Sequence, residues 1–218
     1  MTFDAIVFDF DGLLLDTEST MLASWQFEWQ QHGLDLDLDT FWVYHGGDVT
    51  QDRYSQLATK VGPSYDQEAS HARRIAHRER LHDELELRPG IRTWLDDAAR
   101  AGMQLAIATS SPRSWVSRLL GRHVDLERFA ALACGDEVAA PKPDPAVYRL
   151  ALDKLGLAPE RAIAVEDSPH GVTAAQAAGL RCVAIPNPHV SPRRVDHADL
   201  VLGSATDVAL NELRHHLA

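Results

Sequence analysis

Four short stretches of the chain carry residue types suited to chemistry, and each falls where an apolar run ends. The first is Asp9-Phe10-Asp11-Gly12, closing the run FDAIVFDF at residues 3–10. In an ideal strand the two aspartates share a face, although Asp11 is expected in the following loop, and Gly12 lets the backbone approach an anion closely. A purely structural carboxylate pair needs caps or salt bridges. A divalent-ion site with one carboxylate free to attack is the sharper reading. Thr109-Ser110-Ser111 follows MQLAIAT and offers hydroxyls and backbone N–H groups to a phosphoryl oxygen, with capping of a helix near Pro112 as the other use. Lys142 lies in AAPKPDP, where Pro141 and Pro143 stiffen the loop and can direct its ammonium, with a solvated surface charge as the other use. Glu166-Asp167 ends AIAVE ahead of Ser168-Pro169, with helix capping as the rival role for Asp167.

Positioning these groups together requires one sheet. Apolar runs at residues 3–10, 103–109, 129–134, 162–166 and 181–185, and a weaker one at 199–202, read as strands. Helix-compatible segments at 91–101, 115–120, 146–155 and 171–178 alternate with them, so the fold class is α/β, a doubly wound parallel sheet. Gly102, Gly156 and Gly179 suit the helix ends. In such a sheet, ligands collect beyond the carboxyl ends of the strands, which is where all four motifs fall. Residues 17–87 break the rhythm with helices expected over 19–32, 50–61 and within 65–87, the alternating LDLDLD at 34–39 being a connector. The expected division is therefore a core of 1–16 and 88–218 interrupted by a helical module of 17–87.

Of 218 residues, 45% are hydrophobic, which suits a soluble globule, and the formal net charge of −11 disfavours nucleic acid and anionic membrane as partners. It leaves phosphate chemistry open, because a cation and a few amides can invert the field inside a cleft. Two cysteines, Cys134 and Cys182, read as buried thiols in a reducing compartment. With no signal peptide or spanning segment discerned, the expected location is cytoplasmic. The GxGxxG, GxxxxGK[ST], CxxC and HExxH patterns are absent, and His215-His216 reads as a frayed helix end.

Taken in order, DFDGLLLDTE (residues 9–18), ATSS (108–111), PKPDP (141–145) and VEDSPHG (165–171) resemble the haloacid dehalogenase-like superfamily. The likeness is to its subfamily I, with a helical cap inserted after the first motif, near β-phosphoglucomutases and phosphoglycolate phosphatases. The resemblance implies strand order 5-4-1-2-3, a Mg²⁺ cofactor and an aspartyl-phosphate intermediate. It makes Asp9 the nucleophile and Asp11 the general acid/base, which also sets the chain apart from the halide-releasing branch. It further implies phosphate binding by Gly12, Thr109, Ser110 and Lys142, and a metal site of Asp9, Asp11, Asp167 and Glu166, the last directly or through water.

The expected activity is a Mg²⁺-dependent phosphatase acting on a small phosphorylated metabolite, as a monomer or weak dimer. A sugar-phosphate mutase is the alternative, weakened because Asp48-Val49-Thr50-Gln51 stands where an arginine usually follows the cap glycine. A catalytically silent binding or regulatory module is the alternative of another class. Within the insert, His45, Gly46, Gly47, Arg74 and Arg78 are the specificity candidates. Trp25 and Trp29, four apart, suit a helix's apolar stripe.

Overall fold

The run closed by Asp9 forms β1 (Ala5–Phe8), whose four side chains are wholly buried. Burial of that kind needs covering layers on both faces, and the backbone of a central strand needs partners on both edges. β1 pairs in parallel with β2 (Gln104–Ala108) on one side and with β4 (Ala162–Glu166) on the other. β3 (Phe129–Ala133) extends the sheet beyond β2, while β5 (Arg181–Ala184) and β6 (Leu200–Val201) extend it beyond β4. The resulting order, β3-β2-β1-β4-β5-β6, is the one the resemblance implies with a sixth strand added at one edge. These details come from a computed structural model that describes residues 3–42 and 50–217, the Asp39 side chain excepted.

On one face the sheet offers mainly small side chains, among them Ala5, Val7, Ala106, Ala108, Ala164 and Cys182. The bulk comes from the covering helices: Val147, Tyr148 and Leu152 of α7 (Ala146–Leu155) and Val172 of α8 (Pro169–Ala177). Small-against-large packing brings those helices close to the strands and carries Tyr148 toward their carboxyl ends. α5 (Ile91–Arg100) packs on β2 through the buried stripe Ile91, Trp94, Leu95 and Ala98. α6 (Arg113–Leu120) follows β2, and α9 (Leu213–His216) carries the exposed His215 and His216. Gly156 closes α7 at φ +67°, a left-handed position that favours glycine, and Gly102 and Gly179 close α5 and α8 likewise. Both cysteines are buried and free.

The chain divides into two compact units, Met1–Asp16 with Glu86–Ala218, and Thr17–Leu85. The second holds α1 (Thr17–Gln31), α2 (Leu38–Phe41), α3 (Thr50–Val61) and α4 (Gln67–Asp83). α1 starts two residues earlier than expected, and the LDLDLD connector ends in the short α2. The core of this unit includes Leu22, Trp25, Trp29, Phe41, Tyr54 and Leu57, so both tryptophans are packing residues.

One expectation is corrected here. Arg74, named as a specificity candidate, is 4% exposed. Its Nε donates to Tyr54 Oη at 2.8 Å, one terminal nitrogen donates to Ser24 Oγ at 3.2 Å, and its guanidinium lies 4.4 Å from the Trp25 ring centroid. A buried guanidinium must be paired, and these contacts fasten α4 to α1 and α3 rather than offering a free cation. Arg78 is half-buried. His45, Gly46 and Gly47 lie outside the described residues. Among the described residues no helix is long and apolar enough to cross a membrane.

Candidate active site

Asp9 continues β1 by one residue, its N–H donating to Val165 O at 2.9 Å, which sets it beside the end of β4. Thr109 extends β2 in the same way, donating to Ala133 O at 3.0 Å. Two of the four motifs thus lie side by side because their strands are paired in register.

Lys142 joins the other two to them. Its Nζ donates to Asp9 Oδ1 at 2.6 Å, Glu166 Oε1 at 2.5 Å and Ala108 O at 2.8 Å, so all three ammonium donors are used. Burial alone lowers the pKa of the Lys142 ammonium, but Asp9 and Glu166 outweigh that effect and raise it. Burial pushes the Asp9 carboxyl well above the usual carboxylate range. Lys142 opposes that shift, while Glu166 and Asp167 add to it.

Glu166 is wholly buried and heavily engaged. Besides Lys142, Oε1 accepts from Tyr148 Oη at 2.6 Å, and Oε2 accepts from Asp167 N at 3.1 Å and Ser168 Oγ at 3.4 Å. The Ser168 side chain also accepts from Gly171 N at 3.1 Å, so the capping of α8 considered for Asp167 is done by Ser168. Asp167 Oδ2 instead accepts from Asn187 Nδ2 at 2.8 Å. Gly171 makes room for this arrangement, since a Cβ there would lie 2.0 Å from the Glu166 carboxylate. Gly171→Ala is accordingly expected to destabilise the protein by roughly 1–3 kcal/mol through overpacking and to displace Glu166 from Lys142, which denaturant unfolding and activity measured together check.

Carboxylate oxygens of Asp9, Glu166 and Asp167 lie within 4.8 Å of one another. Three carboxyl groups gathered in a buried site give an all-oxygen donor set that suits a hard divalent cation. The Asp11 side chain is not part of this cluster. Its Oδ2 accepts from Ser111 Oγ at 2.5 Å and its Oδ1 from Trp115 Nε1 at 2.9 Å.

The helix-cap use weighed for residues 109–111 does not occur, because α6 is capped at Pro112 without a side-chain bond. Instead Thr109 Oγ1 accepts from Ser111 N at 3.1 Å, and Ser110 Oγ accepts from Lys142 N at 3.4 Å. Gly12, at φ +77°, turns the chain after Asp11, and its carbonyl accepts from an Arg88 terminal nitrogen at 2.6 Å. The same guanidinium donates to Ile185 O and Pro186 O, both at 3.1 Å, tying the loop after β1 to the segment after β5.

Sequence reasoning missed Tyr148, Asn187, Arg88 and Trp115. Asn187 had a usable signal, since it follows a strand's carboxyl end. A second group of ligand types, Cys134, Asp136 and Glu137, is already committed to structure. Glu137 accepts from Lys154 at 2.5 Å and Arg113 at 3.0 Å, Asp136 accepts from Arg113 N at 3.2 Å, and burial raises the Cys134 thiol.

The family model for haloacid dehalogenase-like hydrolases matches residues 6–185. YhcW of Bacillus subtilis is 32% identical over 214 residues, covering 98% of this chain and 97% of that protein. The phosphorylated carbohydrates phosphatase of Thermotoga maritima is 32% identical over 181 residues, 81% of this chain and 82% of its own. CbbY from Rhodobacter sphaeroides, solved in complex with phosphate, is 31% identical, covers 94% of this chain and 96% of its own, and superposes with a TM-score of 0.74. A mutant of CbbY has also been solved with xylulose-(1,5)bisphosphate. With strand order, motif placement and relatives in agreement, the chain belongs to the haloacid dehalogenase-like hydrolases.

Proposed function

We propose that this protein is a Mg²⁺-dependent phosphatase of a small phosphorylated metabolite, a sugar phosphate or related monoester, working through an aspartyl phosphate on Asp9. The observation that carries this reading is the Lys142 ammonium bridging Asp9 and Glu166, with Asp167 in the same carboxylate cluster. Phosphoryl transfer needs in-line positioning and neutralised charge, which this cluster is built to supply once a cation joins it. Asp9 and Asp167, with Glu166 beside them, are the residues to hold that cation. Bound Mg²⁺ supplies charge neutralisation on the phosphoryl oxygens.

In the first half-reaction an Asp9 carboxylate oxygen attacks phosphorus, the ester P–O bond breaks, and Asp11 gives a proton to the leaving alcohol. In the second, Asp11 takes a proton from water, whose oxygen attacks phosphorus and releases inorganic phosphate and the Asp9 carboxylate. Lys142 keeps Asp9 oriented, while the Thr109 hydroxyl and the Ser110 and Gly12 amides receive phosphoryl oxygens. The inserted unit, Thr17–Leu85, is assigned the role of a cap that selects the leaving group. The sugar-phosphate class draws on the relative named for phosphorylated carbohydrates and on the CbbY complexes.

A metabolite screen read separately for inorganic phosphate and for phosphate-position isomers tests this function. Phosphate release is the expected result. Isomerisation without net release, stimulated by catalytic sugar bisphosphate, replaces phosphatase with mutase, and neither product leaves a silent module. Chelation is expected to abolish release and added Mg²⁺ to restore it, and full turnover by thoroughly chelated protein contradicts the metal assignment.

A further inference from the structure

The reading of Asp11 as general acid/base leaves open what aims its carboxylate. We propose that Trp115 is the positioning residue for Asp11, its indole N–H fixing one carboxylate oxygen while the Ser111 hydroxyl holds the other. The inference rests on the phosphatase reading above, and its residues lie outside the carboxylate cluster assigned to the cation.

The two contacts are chemically unequal. Trp115 Nε1 donates to Oδ1 at 2.9 Å, and an indole nitrogen can only donate. Ser111 Oγ meets Oδ2 at 2.5 Å, and a hydroxyl can donate or accept as its rotor turns. Trp115 therefore holds Oδ1 as an acceptor. Two partners on two oxygens also stop the carboxylate from rotating about its terminal torsion, which is otherwise broad.

The indole is itself held in place. Trp115 sits in the first turn of α6, and the start of that helix is pinned to β3 and the loop beyond it. Arg113 N donates to Asp136 Oδ1 at 3.2 Å, an Arg113 terminal nitrogen donates to Leu132 O at 2.8 Å, and Gly135 N donates to Ser111 O at 2.9 Å. A Cβ on Gly135 would lie 1.9 Å from Ser110 O, so the two loops are in close contact. The Arg118 guanidinium lies 4.8 Å from the Trp115 ring centroid. A half-buried indole held in this way is a fixed donor, and small errors in the placing of a catalytic group are costly.

Trp115→Phe keeps an aromatic ring beside Arg118 and removes the donor together with part of the indole's volume. General-acid catalysis matters most when the leaving group is poor, so the loss must depend on the ester. We expect kcat to fall about tenfold or more on whichever alkyl phosphate the metabolite screen ranks first, and several-fold less on p-nitrophenyl phosphate. Proton NMR supplies a readout independent of activity. The indole signal lost in Trp115→Phe is expected to stand downfield in the wild type and to move upfield in Asp11→Ala. Equal losses on both esters, or no loss on either, overturn the positioning role while leaving the phosphatase reading intact, and an indole signal unmoved by Asp11→Ala overturns the contact. A wild-type protein that releases phosphate from neither ester overturns the phosphatase reading and this inference with it.

Discussion

Asp9→Asn is expected to lower kcat at least about a thousandfold while making the cation-free protein more stable at neutral pH. The loss of activity follows from removing the attacking carboxylate, for which an amide is no substitute. The gain in stability follows from the site's charge. Burial, reinforced by Glu166 and Asp167, raises the Asp9 pKa in the folded state above its ordinary 3.8 even with Lys142 opposing. A folded state that binds a proton more tightly than the unfolded chain is favoured by this group at low pH. That contribution is lost as pH rises through the folded-state value. At neutral pH the wild type therefore bears a cost that asparagine does not. The gap in melting temperature between variant and wild type, both in chelator, should narrow as pH falls toward about 4, and added divalent cation should stabilise the wild type more than the variant. A variant less stable than the wild type in chelator at neutral pH contradicts this account of the site.

Lys142→Met is expected to be the most destabilising change in the site. Methionine keeps much of the stem but removes the charge that Asp9 and Glu166 share at 2.6 and 2.5 Å. Breaking a buried ion pair from one side typically costs about 3–5 kcal/mol, because an uncompensated charge stays behind. Denaturant unfolding at neutral pH should show a loss of that size, and Mg²⁺ should recover part of it by replacing the missing positive charge. Activity should fall at least about a hundredfold, since Asp9 loses its orienting donor and the phosphoryl group a cation. Lys142→Arg should rescue little, because a planar guanidinium fork does not match three acceptors gathered around one nitrogen. Retention of more than about a tenth of wild-type activity by the methionine variant would remove Lys142 from the proposed mechanism.

Much of the site was legible because it is built from strand ends. Asp9, Thr109 and Glu166-Asp167 each follow a near-continuous apolar run, and parallel pairing in register brings such termini together. Lys142 was readable from its two flanking prolines, which mark a loop of restricted shape. Gly171 stood in a quoted motif, but its reason, room for the Glu166 carboxylate, is a fact of packing.

What escaped the sequence reaches the site through space. Tyr148 looks like an ordinary apolar position of α7 until its hydroxyl is seen on Glu166, and Trp115 like one of α6 until its indole is seen on Asp11. Arg88 follows the insert in sequence yet binds carbonyls on both sides of the sheet's switch point. Arg74 was misread for a related reason. α4 is densely charged, which suggests a solvated face, whereas its contact with α1 is itself polar. Wholly buried Glu28 accepts from Arg73 at 2.6 Å, and Arg74 donates to Ser24 and Tyr54. Periodicity in hydrophobic residues does not reveal an interface of that kind.

The central claim is that phosphate passes through a covalent bond to Asp9, and chemical trapping tests it most directly. Protein mixed with a turning-over phosphomonoester and quenched into borohydride should have its acyl phosphate reduced to the alcohol, so that peptide mass spectrometry finds homoserine in place of aspartate at position 9. The same treatment of Asp9→Asn should give none. Homoserine at position 11 instead, or steady phosphate release with no trapped residue in the wild type, would contradict the account.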